Sequence, residues 1–196
     1  MKTIIEGATL LAVSLLLQAG AAAQQGSLSL RTPMAPGSPL QKVGALFNET
    51  QLEVLLVNVS DREVTETVLG LVLEDEAGAV PATTQSGRVC KAKVAPGGFL
   101  AVRGADNGFD SAVLYFRDKG ITEKKVTVGV TRVRFADGSE WVYPLEAKGH
   151  FDEAQPDDKL AQRIESLKKK QFGDVYSVVA LLTGSGLEGK VSSCRD

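Results

Sequence analysis

The sequence contains few of the residues from which catalytic and metal sites are built. Among its 196 residues there are one histidine, two cysteines and one tryptophan. A Ser-His-Asp triad would have to use His150, and no serine lies in a Gly-x-Ser-x-Gly elbow. A zinc site needs three or four His, Cys or carboxylate ligands, and the histidine and cysteines are too few to supply them. No glycine-rich phosphate loop occurs either. The sequence therefore predicts no catalytic residues, no metal and no cofactor, and hence a protein that is not an enzyme.

The chain also has little excess charge of either sign. Its 22 Lys and Arg residues nearly balance 24 Asp and Glu residues, which gives a formal net charge of −2. Nucleic-acid binding needs a basic patch or stripe. The one basic run, residues 168–170, closes a predicted helix, where cations favour the negative end of the helix dipole. We therefore expect no nucleic-acid partner.

The N-terminus has the pattern of a secretory signal peptide. Lys2 supplies a positive charge, residues 8–17 are apolar apart from two hydroxyl residues, and Ala21 and Ala23 fit an A-x-A cleavage site. The apolar run is too short to cross ~30 Å of hydrocarbon comfortably. We expect residues 1–23 to be removed, which leaves a secreted or periplasmic protein without a membrane span; an uncleaved anchor is the alternative. The alanine-rich signal and the scarcity of disulfides favour a bacterial source.

Cys90 and Cys194 are an even number of cysteines in a chain that we expect to be exported. They lie 104 positions apart, so they do not form a C-x-x-C redox pair. Because oxidising compartments favour disulfides, we predict one disulfide bond that joins the C-terminal tail to the domain. Two unpaired thiols are the alternative. Closing a loop of this length stabilises a fold by about 4–5 kcal/mol in the chain-entropy model.

Short apolar runs separated by turn residues dominate the middle of the chain. Runs rich in Val, Thr and Leu, with a turn about every 8–12 residues, predict a mostly β fold in which two antiparallel sheets pack as a sandwich. The predicted strands cover residues 51–60, 64–73, 88–94, 99–103, 112–117 and 124–135.

The segments on either side of this region differ in composition. Residues 24–42 are rich in Gly, Ser, Ala and Pro, which predicts a flexible leader with one short edge strand at residues 27–31. Towards the C-terminus, Asp157 or Asp158 can cap a helix that ends near Gln171. The predicted organisation is a signal peptide, a leader, a β-sandwich domain, and a C-terminal helix and tail packed on the sandwich: residues 1–23, 24–42, 43–146 and 147–196.

The longest predicted strand and the hairpin after it define a buried face. Apolar residues change parity near Gly129, which indicates a β-bulge there. A two-residue hairpin loop would place Arg134 opposite Trp141, whereas a three-residue loop ending in a left-handed glycine would pair Arg134 with Glu140. We choose the second register because it pairs opposite charges on one face and apolar groups on the other. It predicts a single buried face that carries Val133, Phe135, Trp141 and Tyr143.

Three local patterns in this region point to a known class of fold. They are the strand and turn at residues 54–61, the Pro-Gly-Gly turn at residues 96–98 and the hairpin at residues 135–141. Together they resemble extracellular immunoglobulin-like and fibronectin-type-III-like sandwiches over about residues 43–145, without the Cys-Trp-Cys signature of antibody domains. The resemblance implies a mostly β, immunoglobulin-like antiparallel β-sandwich with a short C-terminal helix and tail. It leaves the activity open, because such sandwiches carry many functions.

Three function hypotheses from different classes follow. The leading one is a non-catalytic module for protein interaction or envelope structure, which binds an unknown protein partner through an edge strand or through loops at residues 78–87 and 104–110. A third is a hydrolase with an unrecognised site, of which the nucleophilic version would depend on His150. A carbohydrate-binding module would need a flat platform of exposed aromatic side chains. The candidate aromatic residues for such a platform are Trp141, Tyr143, Tyr115 and Phe116.

Overall fold

The structure is a computed structural model, which describes residues 28–33, 35–47, 52–75, 83–104, 109, 124–152, 156–173 and 191–194. Within these ranges the chain is mostly β, with two sheets and two helices. The strands are β1 (Leu28–Arg31), β2 (Leu40–Phe47), β3 (Leu52–Asn58), β4 (Val64–Asp75), β5 (Thr83–Ser86), β6 (Cys90–Val94), β7 (Phe99–Arg103), β8 (Lys124–Phe135), β9 (Glu140–Val142) and β10 (Ser192–Ser193), and the helices are α1 (Leu145–Lys148) and α2 (Asp158–Phe172).

The first sheet is built around an antiparallel pair formed by β4 and β8. β5 and β6 follow one another along the free edge of β4, and β1 and β9 share the opposite edge of β8. The second sheet has the order β10-β7-β3-β2. β1 and β10 run parallel to their neighbours, and the other pairs are antiparallel. The predicted mostly β fold, with two largely antiparallel sheets and a short helix, is confirmed.

The main core lies between the two sheets. Val54 and Leu56 of the second sheet point towards Leu71, Val128 and other residues of the first sheet in one buried cluster. Alternation along each strand turns every second side chain towards the opposite sheet. Each fully buried Val or Leu stabilises the fold by about 1.5–3 kcal/mol relative to an exposed one.

β3 is apolar on both faces because helix α2 covers its outer side. Leu55 and Val57 point away from the main core and form a second cluster with Phe99 and Ile164 of α2. The side chain of Asp157 caps the helix by accepting a hydrogen bond of 2.7 Å from the backbone N–H three residues later. The helix predicted from Asp157 or Asp158 is therefore confirmed.

The parity change in β8 is a β-bulge, as predicted, but it lies at Thr131 and not at Gly129. Val68 and Leu69 of β4 pair with the residues on either side of Thr131, which is the extra residue. Gly129 has a different role, because a Cβ at this position would lie 2.6 Å from Cε1 of Phe151. The glycine leaves room for an aromatic ring on the outer face of the sheet.

The β8–β9 hairpin has the predicted register. Val133 pairs with Trp141 and Arg134 with Glu140. The loop ends in Gly138, whose φ of +84° lies in the left-handed region that favours glycine. The choice between the two registers on charge pairing is therefore confirmed.

The four residues predicted for one buried face divide between two clusters instead. Val133 and Phe135 are buried in the main core. Tyr143 is buried on the outer face of the first sheet, and Trp141 is partly buried and packs against both clusters. The prediction of a single face is wrong because Tyr143 donates its backbone N–H to the bulged Thr131, where the alternation is interrupted.

The C-terminal tail connects the two sheets. The predicted disulfide between Cys90 and Cys194 is confirmed. β10 runs beside β7 of the second sheet, and the hydroxyl of Ser192 donates a 2.7 Å hydrogen bond to the carbonyl of Lys93 in β6 of the first sheet.

Two strands include residues that the sequence assigns to a flexible leader. β1 agrees with the edge strand predicted at residues 27–31, and β2 starts at Leu40. Ala35, Ser38 and Leu40 are buried. Although residues 24–42 are rich in Gly, Ser and Pro, part of this segment packs against the two sheets, because Ala35 and Leu40 belong to their buried clusters.

Other predictions fall outside the described residues. They concern the signal peptide, the strand at residues 112–117 with Tyr115 and Phe116, most of the loop at residues 104–110 and the first half of the loop at residues 78–87. The second half of that loop was predicted wrongly, because it contains β5. Among the residues that the structure describes, no helix has both the length and the apolar character required to cross a bilayer.

Candidate functional site

The candidate site is a groove on the outer face of the first sheet, which we call the outer groove. Its volume is about 360 Å³. The floor is formed by β4 and β8, one wall by the connection from β5 to β6, and the other wall by the end of β9 and the start of α1. The lining side chains that matter below are those of Val68, Val89, Thr131, Arg132, Val142 and Glu146.

Three interruptions of regular sheet structure create this groove. The bulge at Thr131 bends the floor, and its hydroxyl donates to the carbonyl of Val68 at 3.1 Å. Along the edge of β4, pairing is interrupted between the end of β5 and the start of β6. In this interval the backbone N–H of Gly87 donates a 2.8 Å hydrogen bond to the carbonyl of Leu69. β9 ends just before Pro144, which cannot donate to a strand ladder.

The rim of the outer groove is apolar and exposed. Among the described residues, the large hydrophobic side chains that remain exposed are Val142, at 60%, and Val89, at 40%. Scattered exposed apolar residues are ordinary on protein surfaces, but neighbouring ones around a concave surface indicate an interaction site. Here both line the same groove.

One cross-strand row beside the groove is a complete salt-bridge network, which we call the paired rung. Arg134 of β8 lies between Glu66 of β4 and Glu140 of β9. Its guanidinium is 3.2 Å from the Glu66 carboxylate and 2.7 Å from that of Glu140. The hydrogen bond with Glu140, followed by the charge of Glu66, raises the pKa of Arg134 above its ordinary value.

The next row on the same face has the same central residue and different neighbours, and we call it the open rung. Arg132 lies between Val68 of β4 and Val142 of β9. It is partly buried and lines the outer groove. Within the described part of the chain, its guanidinium has neither an ion pair nor a hydrogen bond.

The hairpin turn next to the paired rung is held in place by a second set of contacts. The guanidinium of Arg62 lies 3.6 Å from the centre of the Phe135 ring and donates to the Ser139 hydroxyl at 2.8 Å. Asp137 accepts hydrogen bonds from the side chain and backbone of Ser139, and these bonds lower the pKa of Asp137 below its ordinary value. The groove therefore borders a fixed hairpin.

Residues 143–152, which we call the strap, form the wall on the other side. The Tyr143 hydroxyl accepts a 2.7 Å hydrogen bond from the backbone of Asp152. The ring of Phe151 packs above Gly70 and Gly129, which face each other on β4 and β8. A Cβ on either glycine would come within 3.4 Å of the ring, so the strap has a specific seat on the sheet.

His150, the residue on which the alternative hydrolase hypothesis depends, lies on the strap with its side chain 64% exposed. Its Nδ1 is 2.9 Å from the carbonyl of Lys148, and its Nε2 is 3.5 Å from the Asp152 carboxylate. The side-chain hydrogen bond from Lys148 is the main reason that the pKa of Asp152 is lowered. These contacts hold the strap together, and neither of them is with a serine. A hydrolytic role for His150 stays a prediction.

The other predicted site residues contribute little to an exposed surface. Tyr143 is buried, and Trp141 is partly covered, with its ring 6.5 Å from that of Tyr143. Cys90 is buried in its disulfide. In the ranges that the structure describes, no three His, Cys, Asp or Glu side chains come together in a way that could hold a metal ion.

Sequence reasoning missed the residues of the outer groove. Val68, Val89, Arg132 and Val142 come from four separate segments, and none of them belongs to a motif. A signal was present in the hairpin register, which places Val142 opposite Arg132 once Glu140 is placed opposite Arg134.

Comparison of the chain with known proteins found no matching family model, no similar curated protein and no similar solved structure.

Proposed function

We propose that this protein is a non-catalytic, exported β-sandwich module that binds a partner protein through the outer groove. The observation that carries the proposal is the combination of two exposed valines, Val89 and Val142, with the guanidinium of Arg132, which has no partner among the described residues, in one concave surface. Exposed apolar patches that are rimmed by polar residues mark protein-interaction sites and ligand-binding grooves.

The proposed architecture is an immunoglobulin-like or fibronectin-type-III-like sandwich, and the strand order supports it. β2, β3 and β7 share one sheet, and β4, β8 and β9 share the other, with β5 and β6 on the far edge of β4. In immunoglobulin-like domains the strands A, B and E lie opposite C, F and G, with an additional strand C′ beside C in some types. The order along this chain supports an assignment to that scheme, with β1 and β10 as additional edge strands.

Export to the periplasm or the medium is the proposed location, from a bacterial cell. The disulfide between Cys90 and Cys194 supports an oxidising compartment. The signal-peptide pattern of residues 1–23 is the second support. N-terminal sequencing of the native protein should begin at Gln24; a native chain that still begins at Met1 would contradict this proposal.

Photo-crosslinking tests the proposed binding site. The full chain carries a photoreactive amino acid in place of Val142 and is produced in its native cells, and a control chain carries the same group in place of Lys159, which is exposed on α2. We expect one discrete protein adduct from position 142, weakened several-fold by the additional change Val89→Asp, and no such adduct from position 159.

Two results would count against the proposal. Equal adducts from positions 142 and 159 would indicate random collisions with neighbouring proteins. Turnover of a substrate that is lost in His150→Ala, without any adduct from position 142, would favour the hydrolase hypothesis.

A further inference from the structure

We infer that the outer groove recognises one acidic side chain of its partner, carried between aliphatic residues, and that Arg132 binds its carboxylate. The inference rests on the proposed function, because it names the chemistry of the partner at the same groove. It follows from the comparison between the open rung and the paired rung.

The paired rung shows which groups bind an arginine on this face of the sheet. Arg134 and Arg132 lie two residues apart on β8, so their side chains leave the same face. Arg134 has a carboxylate on each neighbouring strand, from Glu66 and Glu140. Arg132 has a valine in each of the two equivalent positions. The open rung thus has the cation of the paired rung and lacks its carboxylates.

The surroundings of Arg132 favour pairing with a carboxylate from outside. A partly buried cation without a partner is unfavourable, and apolar walls strengthen the attraction to an incoming anion. A guanidinium also offers two parallel N–H donors that fit a carboxylate. Val68, Val89 and Val142 around it are aliphatic, so they favour aliphatic side chains on either side of the acidic residue.

The same surroundings argue against a more highly charged ligand. Glu146 lines the groove as well, so the charge of Arg132 is balanced within the groove and there is no excess positive charge to hold several anionic groups. Nucleic acid would require several cations around the site, whereas Arg132 is the basic residue among the residues that line the groove. A segment with one acidic residue, rather than an acidic run or a phosphate chain, fits this pattern.

The test uses the disulfide-bonded chain and short blocked peptides as probes. The first peptide is Ac-AVEVA-NH2, the second is its neutral counterpart Ac-AVQVA-NH2, and the third, Ac-AVAVA-OH, has its carboxylate only at the C-terminus. Valine methyl resonances of Val89 and Val142 report binding in an NMR titration. We expect the glutamate peptide to shift both resonances and the glutamine peptide to bind about tenfold more weakly, because a hydrogen bond to a charged group is lost.

Two arginine variants supply the matched comparison. Arg132→Gln should reduce binding of the glutamate peptide to that of the glutamine peptide. Arg134→Gln, which removes the same charge from the neighbouring rung, should leave the affinity within about twofold, because this arginine already has two partners in the chain. Unchanged methyl resonances elsewhere in the spectrum verify that both variants are folded.

The outcomes separate this inference from the proposed function. Equal binding of the glutamate and glutamine peptides, abolished by Val142→Lys, would leave the groove as a peptide site and overturn the role of Arg132. Equal binding of the glutamate peptide and Ac-AVAVA-OH would overturn the assignment to an acidic side chain in favour of a C-terminal carboxylate. Absence of any shift at Val89 and Val142 with all three peptides would overturn both the inference and the proposed function.

Discussion

Arg134 and Arg132 leave the same face of β8 two residues apart, yet the fold uses them differently. Arg134 forms ion pairs with carboxylates on both neighbouring strands, and its role is therefore structural. Arg132 has valines at the same two positions and lies in a groove. The difference is set by the side chains on β4 and β9, and not by the arginines themselves. A residue type therefore says little about function until its cross-strand neighbours are known.

The two rungs also differ in the neighbouring segments that fix their positions. The paired rung borders the hairpin turn that Arg62 and Asp137 fix. The open rung borders the strap, whose position depends on the seat of Phe151 above Gly70 and Gly129. Changes in the strap should therefore alter the open rung and leave the paired rung intact.

Removal of the Phe151 ring should have the largest effect. Phe151 is 6% exposed and packs in the outer cluster with Val72, Tyr143 and Leu145. Phe151→Ala should destabilise the protein by about 3 kcal/mol, since it leaves a cavity beneath the strap. Urea unfolding measures the loss, and the methyl resonance of Val142 should shift while the Arg134 side-chain resonances remain.

A second substitution tests whether the protein needs a glycine at position 129 because the Phe151 ring packs directly above it. Gly129→Ala should also destabilise the protein, because its Cβ would lie 2.6 Å from the ring of Phe151. In the Phe151→Ala background the same change should cost much less. Additive losses in the double variant would mean that Gly129 is needed for another purpose.

Neutralising each arginine in turn compares the two rungs directly. Arg134→Gln should lower the Tm by about 1–3 °C, because it breaks two ion pairs on a partly exposed surface. Arg132→Gln should leave the Tm unchanged or raise it slightly, because no ion pair is lost within the described part of the chain. A larger loss for Arg132→Gln would show that the open rung is structural.

The sequence predicts the paired rung better than the open one. The hairpin register follows from Arg134 and Glu140, since these residues lie only six positions apart along the chain and carry opposite charges that can pair. The groove depends on Val68 and Val89, which the sequence places far from Arg132, so their proximity needs the pairing of β4 with β8. The sequence predicts the bulge at Gly129 and not at Thr131, because a glycine within a strand pattern can mark either a bulge or a close contact with a ring.

Converting the open rung into a paired one should have a smaller effect on stability and a large one on binding. Val142→Glu places a carboxylate opposite Arg132, as Glu140 lies opposite Arg134. The Tm should rise by about 1 °C or less, because exposed cross-strand ion pairs contribute little. The variant should no longer bind Ac-AVEVA-NH2. Retained binding would mean that the peptide carboxylate has another partner.

The smallest expected effect concerns the turn beside the paired rung, and it depends on pH. The bonds from Ser139 lower the pKa of Asp137 in the folded protein, followed in effect by the charge of Arg62. A carboxyl with a lowered folded pKa stabilises the fold above its unfolded pKa, about 3.9, and this contribution is lost as the pH falls through the folded value. Asp137→Asn should therefore reduce the fall in Tm between pH 6 and pH 2.5.

NMR titration of the Asp137 side-chain carboxyl resonance can measure which contact lowers its pKa more, the hydrogen bonds from Ser139 or the charge of Arg62. Ser139→Ala removes the main hydrogen-bond donor, so it should raise the pKa of Asp137 more than Arg62→Gln does. Neither change touches Arg132, so binding at the outer groove should be unaffected in both variants. A larger rise in the pKa with Arg62→Gln would mean that the ion pair with Arg62, and not the turn's own hydrogen bonds, is the main cause of the lowered pKa of Asp137.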